Sequence, residues 1–162
     1  MSNKTKRSGK KYQPRPIKYS AINAVLVAQH PLDATQQSEL IDGTRADLYR
    51  IRFDPKPLKD DLMTIKVALE VAAQIADRQS TGGESALDVI EDGLRCVLVC
   101  KARGALTGSI RFTGDELQLI EPALDLHDAI IQLATCGQIR AATKFLKTME
   151  YQPSFELAKR VA

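Results

Sequence analysis

Leu58-Lys59-Asp60-Asp61-Leu62-Met63-Thr64-Ile65-Lys66-Val67-Ala68-Leu69-Glu70-Val71-Ala72 is the stretch that decides how this chain folds. Leu58, Leu62, Ile65, Leu69 and Ala72 recur at alternating steps of four and three, the period of one helix face, and a strand would need steps of two. Met63, Val67 and Val71 widen the stripe. An amphipathic helix of this length buries its apolar face against other helices. It begins after Asp54-Pro55-Lys56-Pro57, where two prolines interrupt any earlier helix, and is expected to stop before Ser80-Thr81-Gly82-Gly83.

The flanking sequence continues in the same period. Toward the N-terminus, Leu40, Ile41, Leu48 and Ile51 predict a helix between Leu32 and Ile51, with Gly43 weakening its middle. A short helix over Ala21–Ala28 is expected to end before Pro31. Toward the C-terminus, Leu87, Ile90, Leu94 and Val97 place a helix from about Glu84 to Ala102, and Gly104 to Gly114 reads as irregular or extended. Thr113-Gly114-Asp115-Glu116 is a capping box, in which the Thr hydroxyl takes an orphan N–H and the Glu reaches back. The helix it opens has two apolar stripes: Leu117, Ile120, Leu124 and Ile131, then Leu119, Ala123, Leu126, Ile130 and Leu133. Two stripes predict a central position, and Pro122 in its interior removes one backbone bond. Thr135-Cys136-Gly137-Gln138 repeats the capping signal and starts a last helix to about Glu150, with Ile139, Ala142, Leu146 and Met149 inward. No repeat of solenoid period is present. The expected fold is all-α: a compact bundle of about five helices over residues 20–162, one domain, preceded by a disordered basic arm over residues 1–19.

Composition agrees with that outline. A chain of 162 residues is the size of one ordinary domain. Hydrophobic residues make up 44% and aromatics only 5%, with no Trp, so the core must be aliphatic. Apolar runs such as Cys96–Cys100 fall far short of the roughly 20 residues that a membrane span needs. The opening residues lack a secretory-signal pattern, and three cysteines in no framework spacing point to a reducing compartment. The expected location is cytoplasmic, away from membranes.

The net charge of +3 hides a division. Residues 1–19 hold Lys4, Lys6, Arg7, Lys10, Lys11, Arg15 and Lys18 and no acid, which leaves the rest of the chain at −4. With almost no apolar content, that arm cannot offset its own chain entropy. Seven cations suit nucleic acid, where about four to seven of them would meet phosphates and neutralise the backbone locally. Tyr12-Gln13-Pro14-Arg15-Pro16 would alternatively suit an extended peptide docking in a protein groove, and a solubilising tail without a specific partner is the third reading. The last helix adds a second basic feature, because Arg140, Lys144 and Lys147 line up opposite its apolar stripe. They read as phosphate contacts, as a solvated face, or as partners for the acidic stripe Glu121, Asp125 and Asp128 within or between chains, which would make a homo-oligomer.

Catalytic signatures are missing. There is no strand–GxxxxGK–helix, no GxGxxG, no Gly-x-Ser-x-Gly elbow and no His-Glu-x-x-His. The two histidines, His30 and His127, are far apart; His127 sits between Asp125 and Asp128, where it reads as a polar residue at the edge of a helix contact, or as a base whose pKa a carboxylate could raise. Cys96 and Cys100 share a helix face without the second pair that a structural zinc site uses, so they read as small buried hydrophobes, as does Cys136. The expectation is no enzyme, no cofactor and no metal.

Several stretches carry a resemblance: Lys10-Lys11-Tyr12-Gln13-Pro14-Arg15-Pro16-Ile17, Thr107-Gly108, Phe112-x-Gly114-Asp115-Glu116-Leu117, Ala123-Leu124-Asp125-Leu126-His127-Asp128 and Leu133-Ala134-Thr135-Cys136-Gly137-Gln138. Over about 50 residues, in the arm and the last two helices, the chain resembles small helical proteins of phages, prophages and mobile elements of proteobacteria. The resemblance implies a setting, the bacterial cytoplasm during infection or prophage carriage, and supplies no site residues. Two functions follow as expectations. One is a non-enzymatic accessory protein that binds nucleic acid or a nucleoprotein complex through the basic arm. The other is a protein-binding inhibitor or adaptor acting on a host protein or defence complex.

Overall fold

The computed structural model describes residues 28–79 and 84–150. They form five helices: α1 Ala34–Phe53, α2 Lys59–Gln79, α3 Glu84–Thr107, α4 Gly114–Leu133 and α5 Cys136–Glu150. Among the described residues the only extended pairing is an isolated bridge between Pro31 and Thr135, so the fold is all-α. The arm over residues 1–19, the Ser80–Gly83 turn and all of the Ala21–Ala28 helix except Ala28 lie outside the described residues. No helix among the described residues is long and apolar enough to cross a membrane.

Local chemistry sets the helix ends. Asp33 caps α1: its Oδ1 accepts from the Gln36 N–H at 2.8 Å, and Gln36 Oε1 accepts from the Asp33 N–H at 3.2 Å. Asp61 holds the start of α2, accepting from the Leu58 N–H and from Arg50 Nε, both at 2.9 Å, and so fastens the end of α1 to its neighbour. Both expected capping boxes are present. Thr113 and Glu116 exchange bonds at 3.3 and 2.7 Å, and Thr135 and Gln138 at 3.3 and 2.8 Å.

The α3 helix runs five residues beyond its expected end at Ala102. Gly104 does not stop it, because this glycine lies under Ile110, whose Cγ1 would sit 2.8 Å from an added Cβ. The stop is Gly108, which takes φ +73, a left-handed backbone that L side chains rarely adopt. The chain then turns back, and Arg103 clamps Glu116 with two hydrogen bonds of 2.9 and 2.6 Å.

The core divides in two, and α2 belongs to both parts. Leu62, Ile65, Leu69 and Ala72 join Leu48 and Ile51 of α1, Ile90, Val97 and Cys100 of α3, and Ile120, Ala123 and Leu124 of α4. One turn further around the same helix, Val71 and Ile75 pack with Leu32, Ile131, Ala134 and Ala142. Helix α2 therefore touches all four others, and among the described helices α5 packs chiefly on α2, with Gly137 also against Ala28. The central position expected for α4 belongs to α2. The second stripe of α4 is only partly covered: Ala123 is buried, Leu126 and Ile130 are half-buried, and Leu119 and Leu133 face solvent.

Gly43, in the middle of α1, has no atom within 4 Å of where a Cβ would lie. Its backbone is ordinary helix, so a side chain there meets no obstruction and restricts only the unfolded chain. Gly43→Ala is expected to stabilise the protein by about 0.5–1 kcal/mol, read as a higher urea midpoint.

Candidate functional site

Charge on the helical body is sorted by helix. Helices α1 and α4 run antiparallel, with Arg45 and Arg52 seven residues apart on one and Glu121, Asp125 and Asp128 at the matching spacing on the other. Arg45 Nη2 lies 2.6 Å from Asp125 Oδ1, its Nε donates to Asp128 Oδ2 at 2.8 Å, and Arg52 Nη1 lies 3.1 Å from Glu121 Oε1. Two arginines of α1 therefore meet all three carboxylates of the acidic stripe and leave it one net negative charge. The pairing with Arg140, Lys144 and Lys147, one of the readings the sequence offered, does not form within the chain among the described residues.

Arg140, Lys144 and Lys147 are all exposed on the outer face of α5, with no acidic partner at salt-bridge distance among the described residues. The helix stays in place because Ala142 is buried and Ile139 and Leu146 pack on the second core. Met149, expected inward, is half exposed. At the helix's flank the Arg78 guanidinium stands 5.9 Å from the Phe145 ring centroid, a further cation turned toward this side. The arm cations Lys4, Lys6, Arg7, Lys10, Lys11, Arg15 and Lys18, with Tyr12, lie outside the described residues.

His127 is 2% exposed, and its Nδ1 donates to Asp128 Oδ1 at 2.9 Å. Asp128 Oδ2 accepts from Arg45 Nε while Oδ1 faces the imidazole, so the ring proton lies on Nδ1 and Nε2 is left as an acceptor. The elevated pKa that a nearby carboxylate could give does not arise. Burial pushes the imidazole below its ordinary range, and the attraction of Asp128 offsets that only in part, with Arg45 acting against it. The sign of the stability effect follows. In the unfolded chain this histidine takes its proton near the ordinary value of about 6.5, whereas in the folded chain it resists. Stability is therefore complete above that value and declines as pH falls below it. Urea midpoints are expected to drop between about pH 7 and pH 5, and His127→Leu to lose less over that interval. Glu116 has its pKa lowered by the Arg103 hydrogen bonds, against the opposing effect of burial. Its contribution is lost only in more acidic solution, so the two effects separate.

Cys96 and Cys100 are buried with their thiol pKa values pushed up by burial, as small core residues should be. Cys136 is half-buried and unbridged. Among the described residues no three His, Cys, Asp or Glu side chains gather as a metal site.

A groove that the sequence pattern does not announce lies between α1 and α2. It is open, about 660 Å³ in volume, and its floor includes Met63, Val67, Val71 and Ile131, with His127 at its side and Ile139 and Thr143 of α5 at one end. Leu40 and Val67, expected in the core, are each 40% exposed here. The available signals were a mid-helix glycine and an apolar stripe on α2 broader than its neighbours cover. Comparison of the chain with protein-family models, with curated proteins and with solved structures finds no match.

Proposed function

We propose that this chain is a non-enzymatic, phage-type accessory protein that binds nucleic acid, or a nucleoprotein complex, through its basic leader and the outer face of α5. The observation that carries the reading is the partition of charge. Seven cations and no acid occupy residues 1–19. On the body, the α4 carboxylates are taken up by α1, while Arg140, Lys144 and Lys147 stand without acidic partners among the described residues. A polyanion gains from such a surface by releasing its condensed counterions, which needs neither a shaped pocket nor base-specific contacts. The likeness to phage and prophage proteins over about 50 residues supports a bacterial cytoplasm as the setting.

The test is fluorescence anisotropy with labelled generic duplex DNA and RNA over a range of salt. The full chain is expected to bind both, with affinity falling steeply as salt rises. The combined substitution Arg140→Ala, Lys144→Ala, Lys147→Ala is expected to reduce the slope of log K against log salt by about 2–3, near 0.9 for each phosphate no longer neutralised. These side chains are exposed, so the fold should survive. Equal slopes for the two proteins would remove α5 from the interface.

A further inference from the structure

We propose that the groove between α1 and α2 is a docking site for an apolar-faced helix of a partner protein that carries cations at both ends of its apolar stripe. This proposal is independent of the polyanion reading, because it uses another surface and an opposite charge.

Three observations lead to it. First, the groove is long and open on one side. It runs along α1 from Glu39 to Arg50, about 16 Å or three helical turns. Apolar side chains at steps of three and four on an incoming helix would meet Leu40, Met63, Val67 and Val71 over that length.

Second, Gly43 sits in the groove wall without a structural reason inside the chain. Gly93 and Gly104 are helical glycines explained by contact, since an added Cβ would fall 2.5 Å from Ala123 Cβ at one and 2.8 Å from Ile110 Cγ1 at the other. At Gly43 nothing lies within 4 Å. A glycine in a helix interior costs stability, and here it keeps open a space that any side chain would narrow.

Third, the charges fit a cationic occupant. Glu39 and Asp60 line opposite ends of the groove, both exposed and neither paired with a cation among the described residues. Asp47 also lines the wall and is met by Arg50. The carboxylates Asp61, Glu121, Asp125 and Asp128 all have their arginines. Glu39 and Asp60 thus place negative charge without a cation partner among the described residues at both rims of the groove, and complementary charge at an interface rim sets orientation and rejects wrong partners.

The probe is a fluorescein-labelled peptide of about 15 residues with leucines at helical spacing and lysines at both ends, compared with one carrying glutamates in place of the lysines. Added to the full chain, the lysine peptide is expected to bind saturably and at least about tenfold more tightly than the glutamate peptide. Gly43→Leu should weaken it about tenfold or more by filling the groove. Glu39→Lys with Asp60→Lys, both on the surface, should reverse the preference between the two peptides while the circular dichroism spectrum stays unchanged. The α5 triple alanine variant should bind the lysine peptide as the unaltered chain does. The proposal is overturned by no saturable binding, by equal affinity for the two peptides, or by indifference to Gly43→Leu. Binding that appears only after residues 1–19 or 151–162 are removed would assign the groove to the chain's own terminal segments. Self-association abolished by Gly43→Leu would assign it to a second copy. Either result also overturns the proposal.

Discussion

Gly93→Val is expected to be among the most damaging single substitutions in this protein. Helices α3 and α4 cross where Gly93 meets Ala123, and a Cβ built on Gly93 falls 2.5 Å from Ala123 Cβ and 3.4 Å from Leu69 Cδ1. The first of these atoms is fixed to the backbone and cannot rotate aside, so the helices must separate. Both helices supply the larger core, with Ile90 and Val97 on one side and Ile120 and Leu124 on the other, and separation would loosen all four. A cost of about 3 kcal/mol, at the upper end of overpacking penalties, is the expectation from urea unfolding. The close approach makes a sharper version available. Gly93→Ala alone should destabilise, and adding Ala123→Gly should restore most of the loss, because one methyl then replaces the other at the crossing. The coupling between the two sites should be about 0.5–3 kcal/mol. Strict additivity would show that the helices do not meet there.

Leu69→Ala should cost about 2–5 kcal/mol. Leu69 is 0% exposed at the junction of α2, α3 and α4, and the rigid neighbours Ile65, Ala123 and Gly93 would collapse little around the space left behind. For a chain of this size that loss lowers the melting temperature by roughly 5–15 °C. The control lies on the same helix two residues earlier. Val67 faces the groove and is 40% exposed, so Val67→Ala should change stability by less than about 1 kcal/mol. Equal effects at the two positions would contradict the assignment of the inner and outer faces of α2.

These faces show how far sequence periodicity reaches. Of the stripe Leu58, Leu62, Ile65, Leu69 and Ala72, the last four are buried, whereas Leu58 lies just before the helix and faces solvent. The Thr113 and Thr135 boxes placed two helix starts correctly, because a cap is a local interaction among four consecutive residues. Asp33 and Gln36 have the same Asp-x-x-Gln spacing and form the same box, so that start was equally legible. Periodicity fails where burial depends on a partner's position. Met63 and Val67 widen the α2 stripe, but α1 leaves them uncovered beside Gly43, and the surplus apolar surface becomes a groove. Gly104 resembles a helix stop, and only the return of Ile110 over it reveals a packing glycine.

The charges were legible by helix and illegible by pair. The acidic stripe on α4 and the basic stripe on α5 were both visible, and joining them was one of the readings that opposite sign offered. Arg45 and Arg52 have the matching spacing on α1, but only the antiparallel packing of α1 on α4 shows that they reach the carboxylates first. The same packing buries His127 and turns a prospective base into a neutral core residue whose Nδ1 proton is tied to Asp128. Among the described residues, the α5 cations are left without acidic partners.

The most direct measurement is the salt dependence of binding to a generic DNA duplex, for the full chain and for the chain lacking residues 1–19. The slope of log K against log salt is expected to be steeper for the full chain by about four to six, matching the phosphates that the leader neutralises. Identical affinities and slopes would contradict a cationic leader as the point of first contact.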